Sequence, residues 1–226
     1  MNIPSWKRYL SYLFEFTLEQ TSSAVNEQLT VVLSKGRIQL ASANAIYSFD
    51  DLYKNFDILF DQIDLKELDG ADVLILGFGL GSVPLILEKK NVAVNSFLGV
   101  ELDEEVLYLA NKYTLSRIVS PIQLICQDAF QFVEVCQEKF DLVVIDVFLD
   151  DVIPEAILSH DLLIHLKELL KHPSSKIILN TMYDQDKSRK ISSKYFEEVF
   201  LPVFSDGSYK DVHMNRMILN FKLPNK

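Results

Sequence analysis

The sequence predicts an α/β protein built on a doubly wound, mostly parallel sheet, preceded by a small antiparallel β segment. From Asp72 onward, short apolar runs alternate with amphipathic helical patterns, which is typical of parallel strands joined by right-handed helical crossovers. Before residue 70, short strand-like runs follow one another with a turn between them. We therefore expect a small N-terminal β segment, residues 1–48, and a Rossmann-like domain, residues 49–226.

The N-terminal segment contains three candidate strands. Residues 13–18 (LFEFTL) alternate apolar and polar side chains, as a half-buried strand does, and residues 29–33 (LTVVL) form a second apolar run. Residues 34–37 (SKGR) read as a turn, after which 38–40 resume the strand pattern, so an antiparallel hairpin or three-stranded sheet is expected. Residues 49–63 then carry apolar side chains at helical spacing.

The remaining elements alternate along the chain. Apolar runs bounded by polar or turn residues predict the strands, and apolar side chains three or four residues apart predict the helices. The predicted strands are 73–76, 97–100, 122–126, 140–145, 176–179, 203–204 and 214–221, and the predicted helices are 82–90, 103–113, 130–135, 154–171 and 190–200. A hairpin of the last two strands would add an antiparallel member at one edge of the sheet.

A glycine loop, Gly77-Phe78-Gly79-Leu80-Gly81, joins the first predicted strand of this domain to its helix. Glycines let the backbone turn sharply and approach a ligand closely, and the following helix N-terminus favours an anionic or electron-rich group. Glu101 ends the second strand, twenty residues after Gly81, where doubly wound folds place the acid that binds ribose hydroxyls. Together these features predict an adenosine-type ligand. The alternative is an ordinary strand–helix turn with a surface glutamate.

Two further acids follow predicted strands, where ligands bind in open α/β sheets. Asp128, followed by Ala129, can accept from an adenine amino group, cap the next helix, or do both. Asp146 ends the fourth strand, where it can orient a substrate amine or act as a general base; a helix cap or solvated loop acid is the alternative.

Composition excludes several functions. A net charge of −10 and a pI near 4.9 argue against nucleic-acid binding, which needs clustered Lys and Arg. The two cysteines form no CxxC pair, the four histidines are scattered, and no signal peptide or membrane span is visible. We therefore expect a reduced, cytoplasmic protein without a metal site. A nicotinamide enzyme is a weaker alternative, because Ser82 stands where a third Gly or Ala would follow the loop.

The series Gly77-x-Gly79-x-Gly81, Glu101, Gln127-Asp128-Ala129 and Asp146 resembles the motifs of class I S-adenosylmethionine-dependent methyltransferases. Within that superfamily the chain is most similar to spermidine synthase-like proteins, because it also has the N-terminal β segment and the string 32–39 (VLSKGRIQ). The resemblance implies a seven-stranded sheet whose last strand is antiparallel, S-adenosylmethionine or its decarboxylated form as cofactor, and Asp146 as the catalytic residue. It implies cofactor contacts from Gln39, Gly77, Phe78, Gly79, Gly81, Glu101, Leu102, Asp128 and Ala129, and substrate contacts from Tyr47 and Asp150.

Departures from the aminopropyltransferase pattern bear on the reaction. Leu80 stands where those enzymes carry an acid in the glycine loop, Leu149 replaces a second acid, and Tyr47 is one residue out of register with a substrate motif. We therefore favour a methyltransferase-like protein acting on an unknown small molecule, such as an amine. The alternatives are a spermidine synthase acting on putrescine and a catalytically silent cofactor-binding module. The resemblance also implies a homodimer using the apolar helix 49–63, unless that helix packs on its own sheet.

Overall fold

The computed structural model describes residues 3–43, 45–150 and 152–224, which form two β-sheets flanked by helices. The first sheet is antiparallel, in the order β1-β2-β3-β4. Its strands are β1 (Phe16–Thr21), β2 (Leu29–Ser34), β3 (Arg37–Ala41) and β4 (Ile46–Ser48).

The second sheet has seven strands in the order β10-β11-β9-β8-β5-β6-β7. They are β5 (Asp72–Leu76), β6 (Ser96–Glu101), β7 (Ile122–Cys126), β8 (Leu142–Ile145), β9 (Lys176–Met182), β10 (Ser208–Val212) and β11 (Asn215–Leu219). Strands β5 to β9 pair in parallel, and β11 pairs antiparallel with both β9 and β10. The predicted α/β architecture, with seven strands and an antiparallel last strand, is confirmed.

Helices cover both faces of this sheet. They are α1 (Ser5–Leu10), α2 (Lys54–Phe60), α3 (Ser82–Lys89), α4 (Glu104–Tyr113), α5 (Ala129–Val135), α6 (His160–Glu168), α7 (Asp186–Tyr195) and α8 (Leu201–Val203), the last two joined by a π-helical turn, 196–200. Side-chain oxygens of Asp103, Asp128 and Ser159 accept backbone N–H groups at the starts of α4, α5 and α6. No helix in the described part of the chain is both long enough and apolar enough to cross a membrane.

The core follows the alternation of side chains along the central strands. On β5, Val73 and Ile75 belong to one hydrophobic cluster, whereas Leu74 and Leu76 belong to the cluster on the opposite face. The first cluster also contains buried side chains of β2 and β3, so both sheets share one core. Strand β4 ends at Ser48, but the predicted division into units 1–48 and 49–226 stays a prediction.

Several predicted elements were misplaced in the N-terminal third. Residues 13–18 are not one strand, because Leu13 and Phe14 lie in a turn after α1 and β1 begins at Phe16. The short strand β4 was not predicted. The helix expected over 49–63 is interrupted, since Asp50 has a φ of +49° and a 3₁₀ turn, Asp50–Leu52, precedes α2.

The apolar face of α2 packs on its own core. Phe56, Leu59 and Phe60 are fully buried in the first cluster, so this face is covered within the chain. This helix therefore packs on its own sheet, which was the alternative to a dimer contact.

Two corrections apply to the C-terminal half. The helix expected over 154–171 is a 3₁₀ turn, Glu155–Leu158, followed by α6, because Ser159 caps a new helix start. The strand expected at 203–204 is wrong: Val203 ends α8, and the edge strand is β10, Ser208–Val212. The helical run continues to residue 203 because its apolar face, including Phe196 and Phe200, packs into the second cluster.

The N-terminal sheet is fixed directly above the glycine loop. Ser48 Oγ lies 2.7 Å from Ser82 Oγ, and the Phe49 N–H donates to the same Ser82 oxygen at 3.1 Å. The fully buried Asp50 pairs with Arg117, whose Nη2 donates to Asp50 Oδ1 at 2.7 Å. These contacts place residues 47–49 over the carboxyl ends of the parallel strands.

Candidate active site

A cleft of about 650 Å³ opens at the carboxyl ends of the parallel strands. The strand order reverses between β5 and β8, and ligands of open α/β sheets bind at such switch points. Along this edge Glu101 ends β6, Gly77 follows β5, Asp146 follows β8, and Met182 ends β9 opposite Asn215. The cleft therefore runs from the tip of β7 to the tip of β9, with the N-terminal sheet as its roof.

The glycine loop needs glycine at its first position. Gly77 has a φ of +81°, and a Cβ there would lie 2.2 Å from the backbone oxygen of Asp146. Gly79 also has a positive φ, and its backbone passes under Tyr47. Gly77 and Gly79 line the cleft, so the bare backbone faces the space available to a ligand.

The other residues of the glycine loop lie outside the cleft and support the loop from below. Phe78 is buried beneath the loop, and its ring would lie 2.5 Å from a Cβ built on Gly99. Gly81 has a φ of +86° and begins α3. Leu80 is fully buried in the first hydrophobic cluster. Phe78 and Gly81 therefore shape the loop from below, and neither is among the residues lining the cleft.

Glu101 is oriented by backbone donors. The Gly79 N–H donates to Oε2 at 2.9 Å and the Asp103 N–H donates to Oε1 at 3.2 Å. The Leu102 backbone N–H is a third donor to this carboxylate. A carboxylate offers about four acceptor positions, so at least one remains for a hydroxyl of a ligand. Burial raises the pKa of Glu101, the Gly79 N–H lowers it in part, and the negative charge of Asp103 raises it further.

A chain of hydrogen bonds connects this end of the cleft with its roof. Asp103 Oδ2 accepts from Asn26 Nδ2 at 2.7 Å, and Asn26 Oδ1 accepts from the Tyr47 hydroxyl at 2.7 Å. The Asp150 N–H in turn donates to the Tyr47 oxygen at 2.6 Å. Burial raises the pKa of Tyr47, which keeps it a neutral donor. Asn26 was not predicted from the sequence, because it lies in a loop without a motif.

Asp128 is a helix cap that also lines the cleft. Its Oδ1 accepts the Gln131 N–H at 3.0 Å, as the capping alternative expected. Asp128, Ala129 and Leu102 all border the cleft beside Glu101. Their contact with an adenine ring stays a prediction, and the observed cap is compatible with it because a carboxylate accepts several hydrogen bonds.

Asp146 is a strongly perturbed acid in the cleft. Asn180 Nδ2 donates to its Oδ1 at 2.8 Å, and the Tyr53 hydroxyl also hydrogen-bonds the carboxylate. Burial raises the pKa of Asp146 from 3.8 to about 7, the two hydrogen bonds lower it in part, and the charge of Glu101 raises it. A pKa near the working pH suits a general base. Neither Tyr53 nor Asn180 stood in a motif that sequence reasoning could detect.

The remaining predicted residues divide between cleft and surroundings. Tyr47 and Asp150 line the cleft, and Asp150 Oδ1 accepts from Ser42 Oγ at 2.6 Å. Gln39 is not among the lining residues; it lies on the face of β3 opposite the buried Ile38 and Leu40. The geometry therefore offers no support for the predicted cofactor contact of Gln39. Within the described ranges, no group of three or more His, Cys, Asp or Glu side chains could hold a metal ion.

Comparison with known proteins gives two kinds of relative. No family model matches the chain. It is 26% identical over 151 residues to an eEF1A lysine and N-terminal methyltransferase homolog of Drosophila pseudoobscura pseudoobscura, covering 63% of this chain and 22% of that protein. It is 26% identical over 159 residues to a polyamine aminopropyltransferase of Vibrio vulnificus (strain CMCP6), covering 68% of this chain and 52% of that protein. The chain thus spans between about a fifth and a half of the curated relatives it matches.

Solved structures with the same fold include members of the same two groups. A spermidine synthase in complex with the transition-state analogue AdoDATO superposes with a TM-score of 0.70 at 14% identity, over 90% of this chain and 72% of that one. Human methyltransferase-like protein 13 in complex with SAH superposes with a TM-score of 0.59 at 19% identity, over 76% of this chain and 81% of that one. The predicted resemblance to class I methyltransferases and spermidine synthase-like proteins is confirmed.

Proposed function

We propose that this chain is an S-adenosylmethionine-dependent methyltransferase acting on a nitrogen of a small amine. The observation that carries the proposal is the placement of Glu101 and Asp146 in one cleft, at the tips of β6 and β8 on either side of β5. Glu101 would hold the nucleoside, and Asp146 would receive the proton that the acceptor nitrogen loses.

The residues present fit a nucleoside. Glu101 keeps acceptor capacity after its three backbone contacts, so its carboxylate can accept from a ribose hydroxyl. Gly77 and Gly79 present backbone without side chains to the same space. The cleft volume of about 650 Å³ also lies within the range of about 300–1,000 Å³ usual for small-molecule sites.

The proton chemistry depends on Asp146. When bound, S-adenosylmethionine supplies an electrophilic methyl group on a sulfonium. An alkyl amine titrates near ~10.4, so presenting it neutral at pH 7 costs on the order of 4–5 kcal/mol at 1.36 kcal/mol per unit. Asp146, with a pKa of about 7, is partly ionised at neutral pH and can accept this proton at a carboxylate oxygen. Asn180 and Tyr53 orient that carboxylate.

Isothermal titration with S-adenosylmethionine and with its demethylated product tests the nucleoside site. We expect Glu101→Gln to weaken both ligands at least tenfold, since each charge-assisted hydrogen bond is worth roughly 1.5–3 kcal/mol. Glu104→Gln, which alters an exposed acid in the first turn of α4, is the matched control and should bind like the wild type. Absence of binding at saturating ligand would remove the proposal.

Aminopropyl transfer is the second candidate. It is supported by the similarity to a polyamine aminopropyltransferase and by two carboxylates, Asp146 and Asp150, in the lining of the cleft. Incubation with decarboxylated S-adenosylmethionine and putrescine, followed by mass spectrometry, separates the candidates: spermidine would establish aminopropyl transfer, and its absence would end this reading.

A catalytically silent cofactor-binding module is the third candidate, motivated by Leu80 and Leu149 at positions where aminopropyltransferases carry acids. Any turnover that Asp146→Asn abolishes would eliminate it. We also propose a cytoplasmic location, which the two free cysteines support. A homodimer is proposed as well, and light scattering would test it.

A further inference from the structure

The half of the cleft beyond Asp146 has mostly apolar walls, with Asn55, His213 and Asn215 as polar members. The nucleoside half is the edge formed by β5, β6 and β7, so an acceptor would occupy the space toward β9 and β11. The apolar side chains that line this space come from the 3₁₀ turns, the segment after β8 and the ends of β9 and β11: Leu52, Phe148, Pro154, Ile157, Met182 and Met214.

Carboxylates are few in this half. Among the described residues that line the whole cleft, the acids are Glu101, Asp128, Asp146 and Asp150. The first two lie at the tips of β6 and β7, in the nucleoside half. Asp150 is turned toward the N-terminal sheet, where its Oδ1 accepts from Ser42 Oγ at 2.6 Å. Asp146 is therefore the acid at the base of the acceptor space.

A lysine is among the residues that line this part of the cleft. Lys54 directly follows Tyr53, the residue whose hydroxyl hydrogen-bonds Asp146, and Lys54 also lines the cleft. A second ammonium group on the acceptor would meet this lysine and the apolar walls. Both are unfavourable, because like charges repel and a charge removed from water without a partner is costly.

The rim of the cleft combines apolar and basic side chains, since the exposed lining residues include Lys54 and His213. Ile46, Leu149 and Met214 line the mouth and are 49%, 43% and 62% exposed. Exposed apolar side chains grouped around an opening mark a binding surface for an apolar ligand.

We propose that the acceptor is a monoamine with an apolar body: its nitrogen lies at Asp146, and its hydrocarbon part extends along the apolar walls toward the rim. This inference rests on the proposed function only for the role of Asp146 as the nitrogen-facing base. It excludes short diamines as preferred acceptors.

Calorimetric titration of the whole chain with n-propylamine to n-octylamine, and with 1,4-diaminobutane, tests this inference by binding alone. Affinity should rise about fourfold for each added methylene that is buried, the equivalent of about 0.8 kcal/mol. n-Butylamine should bind at least tenfold more tightly than 1,4-diaminobutane. A flat series, or tighter binding of the diamine, would overturn the inference.

A charge placed on the rim gives a second, independent test. Leu149→Asp adds a carboxylate at an exposed lining position and should shift the preference at least tenfold toward 1,4-diaminobutane. Val119→Asp adds the same charge at a residue that is 89% exposed and outside the cleft lining, and should leave the preference unchanged. An equal shift in both variants would mean that the walls do not select the ligand.

The two proposals fail separately. If S-adenosylmethionine binds in a Glu101-dependent manner but the diamine is preferred, only the acceptor assignment is wrong. If the alkylamine series behaves as expected but no nucleoside binds, the apolar amine site stands and the transferase function is lost.

Discussion

Replacing Asp146 by Asn should make the protein lose less stability than the wild type as pH rises from acid to alkaline. Burial raises the pKa of this carboxyl from 3.8 to about 7, so the folded protein retains a proton that the unfolded chain has already released. Between these two values the folded state binds more protons, and its stability therefore falls as pH rises. Above pH 7 the full penalty is present, because both states are then ionised and only the folded one is desolvated.

The size of the effect follows from the shift. About three units at 1.36 kcal/mol each give a maximum penalty on the order of 4 kcal/mol for ionised Asp146. At pH 5 less than half of this penalty has developed, whereas at pH 8 nearly all of it has, a difference on the order of 2–3 kcal/mol. Asn keeps a similar shape and cannot ionise. Hydrogen bonds lost or gained by the amide add a pH-independent offset that cancels in this difference.

Urea unfolding of wild type and Asp146→Asn at pH 5 and pH 8 measures the quantity. The stability of the variant relative to wild type should rise by about 2–3 kcal/mol between the two pH values. Asp206→Asn removes an acid whose side chain is 82% exposed, in the loop before β10, and should show almost no such change. If the stability of Asp146→Asn relative to wild type is the same at pH 5 and pH 8, this carboxyl is not held in a desolvated site. The proposal that it is a base with a pKa near neutrality then has no physical support.

Two further substitutions test the loop and the base. Gly77→Ala should destabilise the fold by more than about 2 kcal/mol in urea unfolding, because it combines a positive φ with a Cβ 2.2 Å from the Asp146 backbone oxygen. The control Gly70→Ala has a similar φ but open space around the new Cβ, and it should lose only about 1–2 kcal/mol. Equal losses in the two variants would contradict the steric argument. Tyr53→Phe removes a hydrogen bond that lowers the pKa of Asp146. The midpoint of the rise of activity with pH should therefore move up by about one pH unit. An unchanged midpoint would show that Tyr53 does not affect the pKa of Asp146.

Sequence patterns were sufficient for the central sheet because its strands are buried on both faces. The runs that became β5, β8 and β9 are nearly continuous in apolar residues, and their order along the chain implied parallel pairing. The glycine loop and Glu101 were likewise predictable, because their spacing is imposed by one strand–helix–strand unit.

The N-terminal third was harder to predict because its structure depends on long-range contacts. Residues 49–63 have a helical pattern, but the pairing of Asp50 with Arg117, 67 positions away, holds the start of this stretch in a non-helical turn. The sequence around Asp50 carries no sign of that partner. Tyr53 and Asn180 escaped prediction for the same reason: they reach Asp146 from elements that only the fold brings together.

Two of the departures from the aminopropyltransferase pattern, Leu80 and Leu149, have different physical weight. Leu80 is fully buried, and its carbonyl accepts a hydrogen bond from Thr114 Oγ1 at 2.6 Å, so an acid at this position would be an unpaired charge in the core. The glycine loop is thus folded for an apolar side chain, and restoring the acid would disturb the fold before it changed the cleft. Leu149 is 43% exposed on the rim, so a charge at this position would stay in contact with water. Position 149, and not position 80, is therefore where one substitution can distinguish a lost diamine site from a site built for an apolar amine.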